Sequence, residues 1–220
     1  MAVVGAVAAS LALAIHASAD PPPVTQVPDP QGPGCDAFKA AVPNWKDLNS
    51  QLIGTALASI PDISTFNTLI SGQANPAVDI VPVLNNGPYV VFAPTNEAFA
   101  AMEPGRLDAI KADPATLTKL DYYHVFLGQL SPDTVQGQRP SQDGAQVKVT
   151  GKGGDLTVND TAKNICGGIQ ASNAFIYIID TVLDPAQAPA PITPAGASST
   201  DTPATSAEAP PPQSGEPAVG

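Results

Sequence analysis

The sequence predicts an α+β fold, and three observations carry that expectation. Apolar residues recur at helical spacing between Asp36 and Gly87, and they alternate from Tyr122 onward. Between these regions, at Tyr89–Met102, an unbroken apolar run stops at Pro94 and a helix start takes over at Thr95. With 220 residues, 43% hydrophobic and 13% charged, the chain can bury one substantial core, and its 25 prolines mark segments that stay outside it.

At the N-terminus, Ala2 to Ile15 is apolar apart from Ser10, and Ala17-Ser18-Ala19 precedes Asp20. This is the pattern of a secretory signal peptide over residues 1–19, although no Lys or Arg precedes the apolar run. The run is shorter than the roughly 20 residues of a spanning helix, so no transmembrane span is expected. Residues 20–34 are Pro-rich and are expected to form an extended, unpacked leader. The folded domain is expected over 35–185.

Its first helices carry Ala37, Phe38 and Ala41 on a short stripe and Leu52, Ile53, Ala56, Leu57 and Ile60 on a longer one. Ile63, Phe66, Leu69 and Ile70 form the buried face of the next helix, for which Asp62 or Ser64 is the expected cap. Asn75-Pro76 breaks that run, Asp79 to Leu84 gives a brief helical turn, and Asn86-Gly87-Pro88 leads into the apolar strand. Val90, Val91 and Phe92 are strand formers; after Pro94, Thr95 caps a helix whose Ala98, Phe99 and Met102 face the strand. Two short helices follow, at Pro104–Lys111 and from Asp113-Pro114, where a cap precedes a proline suited to the first helical position. From Tyr122 the period of two predicts a strand, with Tyr123, Val125 and Leu127 on one face and Tyr122, His124 and Phe126 on the other. Ala145–Thr150 and Leu156–Asn159 read as a hairpin, and Phe175 to Ile179 closes the sheet. Residues 186–220 are Pro, Ala, Ser and Thr with three acids and no cation, a tail that cannot order itself.

Three segments taken in order resemble the signature motifs of the fasciclin family. Tyr89–Met102 is similar to the first, Tyr122-Tyr123-His124-Val125-Phe126 to the Tyr-His motif, and Asn173–Pro185 to the closing strand motif. Over Cys35 to Pro185 the chain looks most like the secreted mycobacterial fasciclin-domain antigens. The resemblance implies a twisted, largely antiparallel β-sandwich with short α-helices packed at one end and side. It implies that Phe92, Pro94, Thr95, Phe99, Tyr123, His124, Asn173, Ile179 and Asp180 support the fold beside an adhesive surface. The positions matching an Asp-Ile pair proposed for integrin binding in animal relatives are Gly168 and Ile169, a departure that counts against integrin recognition here.

Chemistry is constrained by what the chain lacks. Its net charge is −11, and residues 35–185 hold all nine Lys and Arg against fifteen acids, which excludes a general basic field for nucleic acid or anionic membrane. In an exported chain, the two cysteines, Cys35 and Cys166, are expected to form a disulfide, whose long loop would remove denatured-state entropy of about 4–5 kcal/mol. They lack the Cys-x-x-Cys spacing and His neighbours of a redox or metal pair. Once residues 1–19 are removed, His124 is the single histidine, so no two-histidine metal site is expected. No Gly-x-Ser-x-Gly turn is present, and His124 is expected to be a buried scaffold residue. No cofactor, metal or catalytic group is therefore expected. The favoured function is a secreted, non-enzymatic, monomeric binding or adhesion module that contacts a protein of a cell surface, matrix or envelope, with cell-wall association a further expectation. The alternatives are a carrier or sensor of a small apolar ligand, which would need an apolar cavity, and a hydrolase, which would need His124 in an open cleft.

Overall fold

A computed structural model of the chain describes residues 26–192. The expected signal peptide and most of the expected tail lie outside the described residues. Seven strands form one sheet: β1 (Tyr89–Pro94), β2 (Val125–Leu127), β3 (Gly137–Pro140), β4 (Gln146–Lys152), β5 (Asp155–Val158), β6 (Ala162–Gln170) and β7 (Ala174–Ile179), in the order β2-β1-β7-β6-β5-β4-β3. Five of the six pairings are antiparallel, and β1 with β7 is parallel. That one parallel pair makes the sheet mixed. The helices are α1 (Cys35–Ala41), α2 (Ile53–Ala58), α3 (Ser64–Ile70), α4 (Val81–Leu84), α5 (Asn96–Ala100), α6 (Arg106–Ala112) and α7 (Pro114–Tyr123). Short 3-10 turns at Trp45–Ser50, Pro61–Ile63 and Pro185–Gln187 complete the described chain.

The central strand β1 is buried along its whole length because both of its faces are covered. Tyr89, Val91 and Ala93 enter a core shared with α1–α7, whereas Val90 and Phe92 enter a second core with Val147, Val149, Leu156, Val158, Tyr177 and Ile179. The second core lies between the two halves of the sheet. The sheet can fold over it because β6 is irregular: its register against β7 shifts between Asn164 and Cys166 and again between Gly167 and Ile169. Gly168 has a φ of +76°, and a Cβ there would sit 2.5 Å from Pro132. At the far edges, the Gln142 amide donates to the Val125 carbonyl at 2.7 Å, linking the chain after β3 to β2 and closing the sheet most of the way into a barrel.

Cys35 on α1 and Cys166 on β6 are joined in a disulfide that ties the first helix to the sheet. The chain before it is docked as well. Gln31 and Gly167 exchange two backbone hydrogen bonds of 2.8 Å, Asn164 Nδ2 donates to the Gln31 carbonyl, and Val27 packs against the first core. The expectation of an unpacked leader over 20–34 therefore fails for its last residues, since β6 presents free backbone groups that this segment satisfies. The tail also starts later than Ala186, because Ala188 packs on the second core and Gln138 Nε2 donates to the Ala190 carbonyl.

Four local expectations are corrected. Tyr122 and Tyr123 are the last residues of α7 rather than strand, so β2 spans only Val125–Leu127. The cap at Asp113, whose carboxylate accepts from the Ala115 and Thr116 amides, starts a helix that runs ten residues, and Leu117, Leu120 and Tyr123 then share its buried side. Neither Asp62 nor Ser64 caps α3; Asn96 Oδ1 accepts from the Thr65 amide at 2.8 Å across the fold. Ala37 and Ala41 are exposed while Phe38 alone of that stripe is buried, and Leu52 is 47% exposed because it precedes the first turn of α2. The longest strand, β6, has no counterpart in the alternation pattern.

Candidate functional site

The residues of the first motif form one continuous joint between sheet and helix. Pro94 ends β1 opposite Ile179, the Thr95 amide donates to the Ile179 carbonyl, and Thr95 Oγ1 accepts from the Ala98 amide at 3.1 Å. Phe92 lies 5.6 Å from both the Phe126 and Tyr177 rings, and Phe99 is buried against the first core. These contacts fix where α5 leaves the sheet.

The Tyr-His pair sits at the junction of α7 and β2. Tyr123 Oη donates to the Gln146 carbonyl at 2.9 Å and accepts from Asn159 Nδ2 at 2.8 Å. His124 is fully buried. Its Nδ1 faces the Leu120 carbonyl at 2.8 Å, one of the last carbonyls of α7, and its Nε2 faces the Leu183 amide at 3.0 Å. A carbonyl can only accept and an amide can only donate, so Nδ1 carries the proton and the ring is neutral. Burial pushes the imidazole down to about 4, against the smaller opposing pull of the Leu120 carbonyl.

From the closing motif, Asn173 fixes the opposite end of β1. Its Oδ1 accepts from the Ile53 amide at 3.0 Å, and its Nδ2 donates to the Leu84 and Gly87 carbonyls, each at 2.8 Å. One side chain thereby joins the start of α2, the end of α4 and the turn into β1. Asp180, just past β7, accepts from the Lys163 amide and from Thr181 Oγ1.

Two of the three motifs meet α7 at a surface groove of about 300 Å³. Ala98 and Ala101 contribute from the α5 side, Ile110 from α6, Leu120 from α7, and residues Asp180–Asp184 form the wall that follows β7. The floor is aliphatic and the rim is polar. Across the rim, Arg106 pairs with Asp184 at 2.7 Å. Burial pushes the Asp184 carboxyl up, but hydrogen bonds from the Ala186 amide and Arg106, with the charges of Arg106 and Lys119, outweigh it and hold it below its ordinary value. Asn173 lies at the other end of the fold, so the motif residues do not form a single cluster.

The sequence reading missed Asp121, Arg106 and Asn159. Asp121 is fully buried on α7 with neither carboxylate oxygen hydrogen-bonded, and burial raises it to about 8, so it is neutral at pH 7. An acid four positions after Leu117 in an otherwise apolar helical row was the available signal. His124 has both nitrogens engaged and no accessible edge, so it is not placed to act as a general base in the groove. Among the described residues, no cluster of three or more His, Cys, Asp or Glu is arranged to hold a metal ion, and no helix is long and apolar enough to cross a membrane.

Comparisons with known proteins identify the family. The family model described as Fasciclin domain matches residues 61–185. The immunogenic protein MPB70 of Mycobacterium bovis is 40% identical over 181 residues, which cover 80% of this chain and 93% of that protein. The cell surface glycolipoprotein MPB83 of the same species is 40% identical over 157 residues, covering 71% of this chain and 67% of its own length. Among solved structures, a FAS1 domain pair from the insect cell adhesion molecule Fasciclin I matches with a TM-score of 0.42 and 18% identity, over 56% of this chain and 45% of that one. On the family match and the identity to MPB70, the chain belongs to the fasciclin-domain family.

Proposed function

We propose that this chain is an extracellular, non-enzymatic binding module of the adhesion type, which contacts a protein of a cell surface, matrix or envelope through the groove beside α5 and the segment after β7. The observation that carries this reading is the division of labour among the motif residues. Thr95, Tyr123, His124 and Asn173 spend their polar groups on internal hydrogen bonds, while the neighbouring Ala98, Ala101, Thr181 and Asp184 line a concave, solvent-facing surface. Such a surface offers aliphatic contacts ringed by polar groups, the makeup of a modest protein interface. The open, polar-rimmed groove favours a protein partner over the carriage of a small apolar ligand.

Export follows from the expected signal peptide, and the kinship with a cell surface glycolipoprotein supports it. N-terminal sequencing of protein from the culture medium is expected to begin at Asp20; an intact Met1 there would overturn this route. For binding, matrix and envelope proteins are to be screened by surface plasmon resonance against the full chain and against Ala101→Arg, which fills the groove. The expected result is a partner bound by the first and lost by the second. A partner bound equally by both would place recognition elsewhere.

A further inference from the structure

Within the wall of the groove, the main chain from Thr181 to Leu183 is held by one hydrogen bond. Between Asp180, which is bonded to Lys163, and Asp184, which is paired with Arg106, the single main-chain hydrogen bond among the described residues runs from the Leu183 amide to His124 Nε2, at 3.0 Å. Leu183 itself is buried in the second core, so the bond and the side chain anchor the segment together. The acceptor is a titratable nitrogen. Protonation from solvent would turn Nε2 into a donor facing another donor, and the Leu120 carbonyl prevents the ring from offering Nδ1 as an acceptor instead.

We propose that His124 is an acid-released latch: protonation of Nε2 breaks its bond to Leu183 and frees the segment from Thr181 to Leu183, opening the groove that this segment walls. Among the described residues, the ring is paired with no carboxylate: its two partners are the Leu120 carbonyl and the Leu183 amide. Phe66 faces it from α3, 5.6 Å away, and neither α3 nor β1 carries a charged residue. On α7, Asp121 is the nearest acid in sequence, and burial keeps it neutral through the acid range; Lys119 is cationic. Glu97 on α5 and Asp180 after β7 make no bond to the ring, and Asp184 is committed to Arg106. The same burial that keeps the ring neutral at pH 7 makes its protonation costly to the closed arrangement, so acid favours the open one. Asp180 and Asp184 stay tethered and act as the ends of the moving strap. This inference does not depend on the groove being the contact surface for a partner.

Amide hydrogen exchange followed by NMR on the full chain from pH 7.5 to 3.5 tests the latch. After correction for intrinsic exchange, protection at Leu183 is expected to fall about tenfold per pH unit between roughly 6.5 and 4. The Ile53 amide, held by Asn173 at the far end of the sheet, is expected to stay protected over that range. In His124→Gln, whose amide oxygen can accept from Leu183 without titrating, the Leu183 dependence is expected to vanish. The wild-type comparison stands without that variant should it fail to fold. If Leu183 and Ile53 lose protection in parallel at every pH, the segment opens only by global unfolding and the latch is wrong. Protection at Leu183 that does not change with pH would also overturn it.

Discussion

Replacing Asn173 by Ala tests whether one side chain holds the helical layer to the sheet. The change removes an acceptor for the Ile53 amide and a donor to two carbonyls, those of Leu84 and Gly87. Each such bond contributes about 1 kcal/mol net, and a partly buried partner left unpaired costs more, so the loss is about 3–5 kcal/mol. At the lower figure, a domain of this size should melt about 6–12 °C lower. Urea denaturation followed by tryptophan fluorescence reads the effect, because Trp45 is buried in the same core. Asn173→Asp sharpens the test: it keeps the acceptor for Ile53 but turns a carboxylate oxygen toward two carbonyls. It should be at least as unstable as the Ala variant at pH 7 and recover in part when acid protonates the carboxyl. A loss below about 1 kcal/mol for Asn173→Ala would show that Ile53, Leu84 and Gly87 find other partners, and the clamp would then be incidental.

Two further predictions concern covalent and electrostatic balance. Replacing both Cys35 and Cys166 by Ala opens a loop spanning 131 positions and should lower stability by up to about 4–5 kcal/mol, with both wild-type thiols inert to alkylation until reductant is added; alkylation of the native protein without reductant would contradict the bond. For Asp121, the folded state holds the proton up to about 8, against 3.8 for the ordinary group, so its contribution to stability is complete below about pH 4 and is lost as pH rises through 8. His124 has the opposite sign: folded near 4 against 6.5 unfolded, it adds stability that is present above 6.5 and lost as pH falls through 4. Each slope is about 1.4 kcal/mol per pH unit, so the two groups cancel between roughly pH 4 and 6.5, and Asp121 alone acts above that window. Asp121→Asn should therefore gain stability relative to wild type steadily from pH 4 to 8 in urea titrations; a constant difference across that range would refute the buried, unpaired carboxyl.

What could be read directly from the chain was local. Pro94 stops a ladder and Thr95 has a hydroxyl in reach of the third amide ahead, so strand and helix at 89–102 follow from neighbouring residues, as does the Asp113-Pro114 helix start. The alternation of Val147, Val149, Leu156 and Val158 gives the hairpin for the same reason. With only two cysteines available, one intramolecular pairing was open, and it is the one formed. Tertiary structure decided where local signals were degenerate. Leu117, Leu120 and Tyr123 fit a helix while Tyr123 and Val125 also fit a strand, and the choice rests on the Asp113 cap and on His124 closing the helix against Leu120. β6 was invisible because its residues face two cores and turn through a glycine bulge, so they follow no single period. The cap that Asn96 supplies to α3 spans 31 positions, and Asn173 reaches Ile53 across 120. Such bonds depend on distances that the chain acquires only when folded, and the same holds for Asp121, whose ionisation is set by surroundings contributed from elsewhere in the chain.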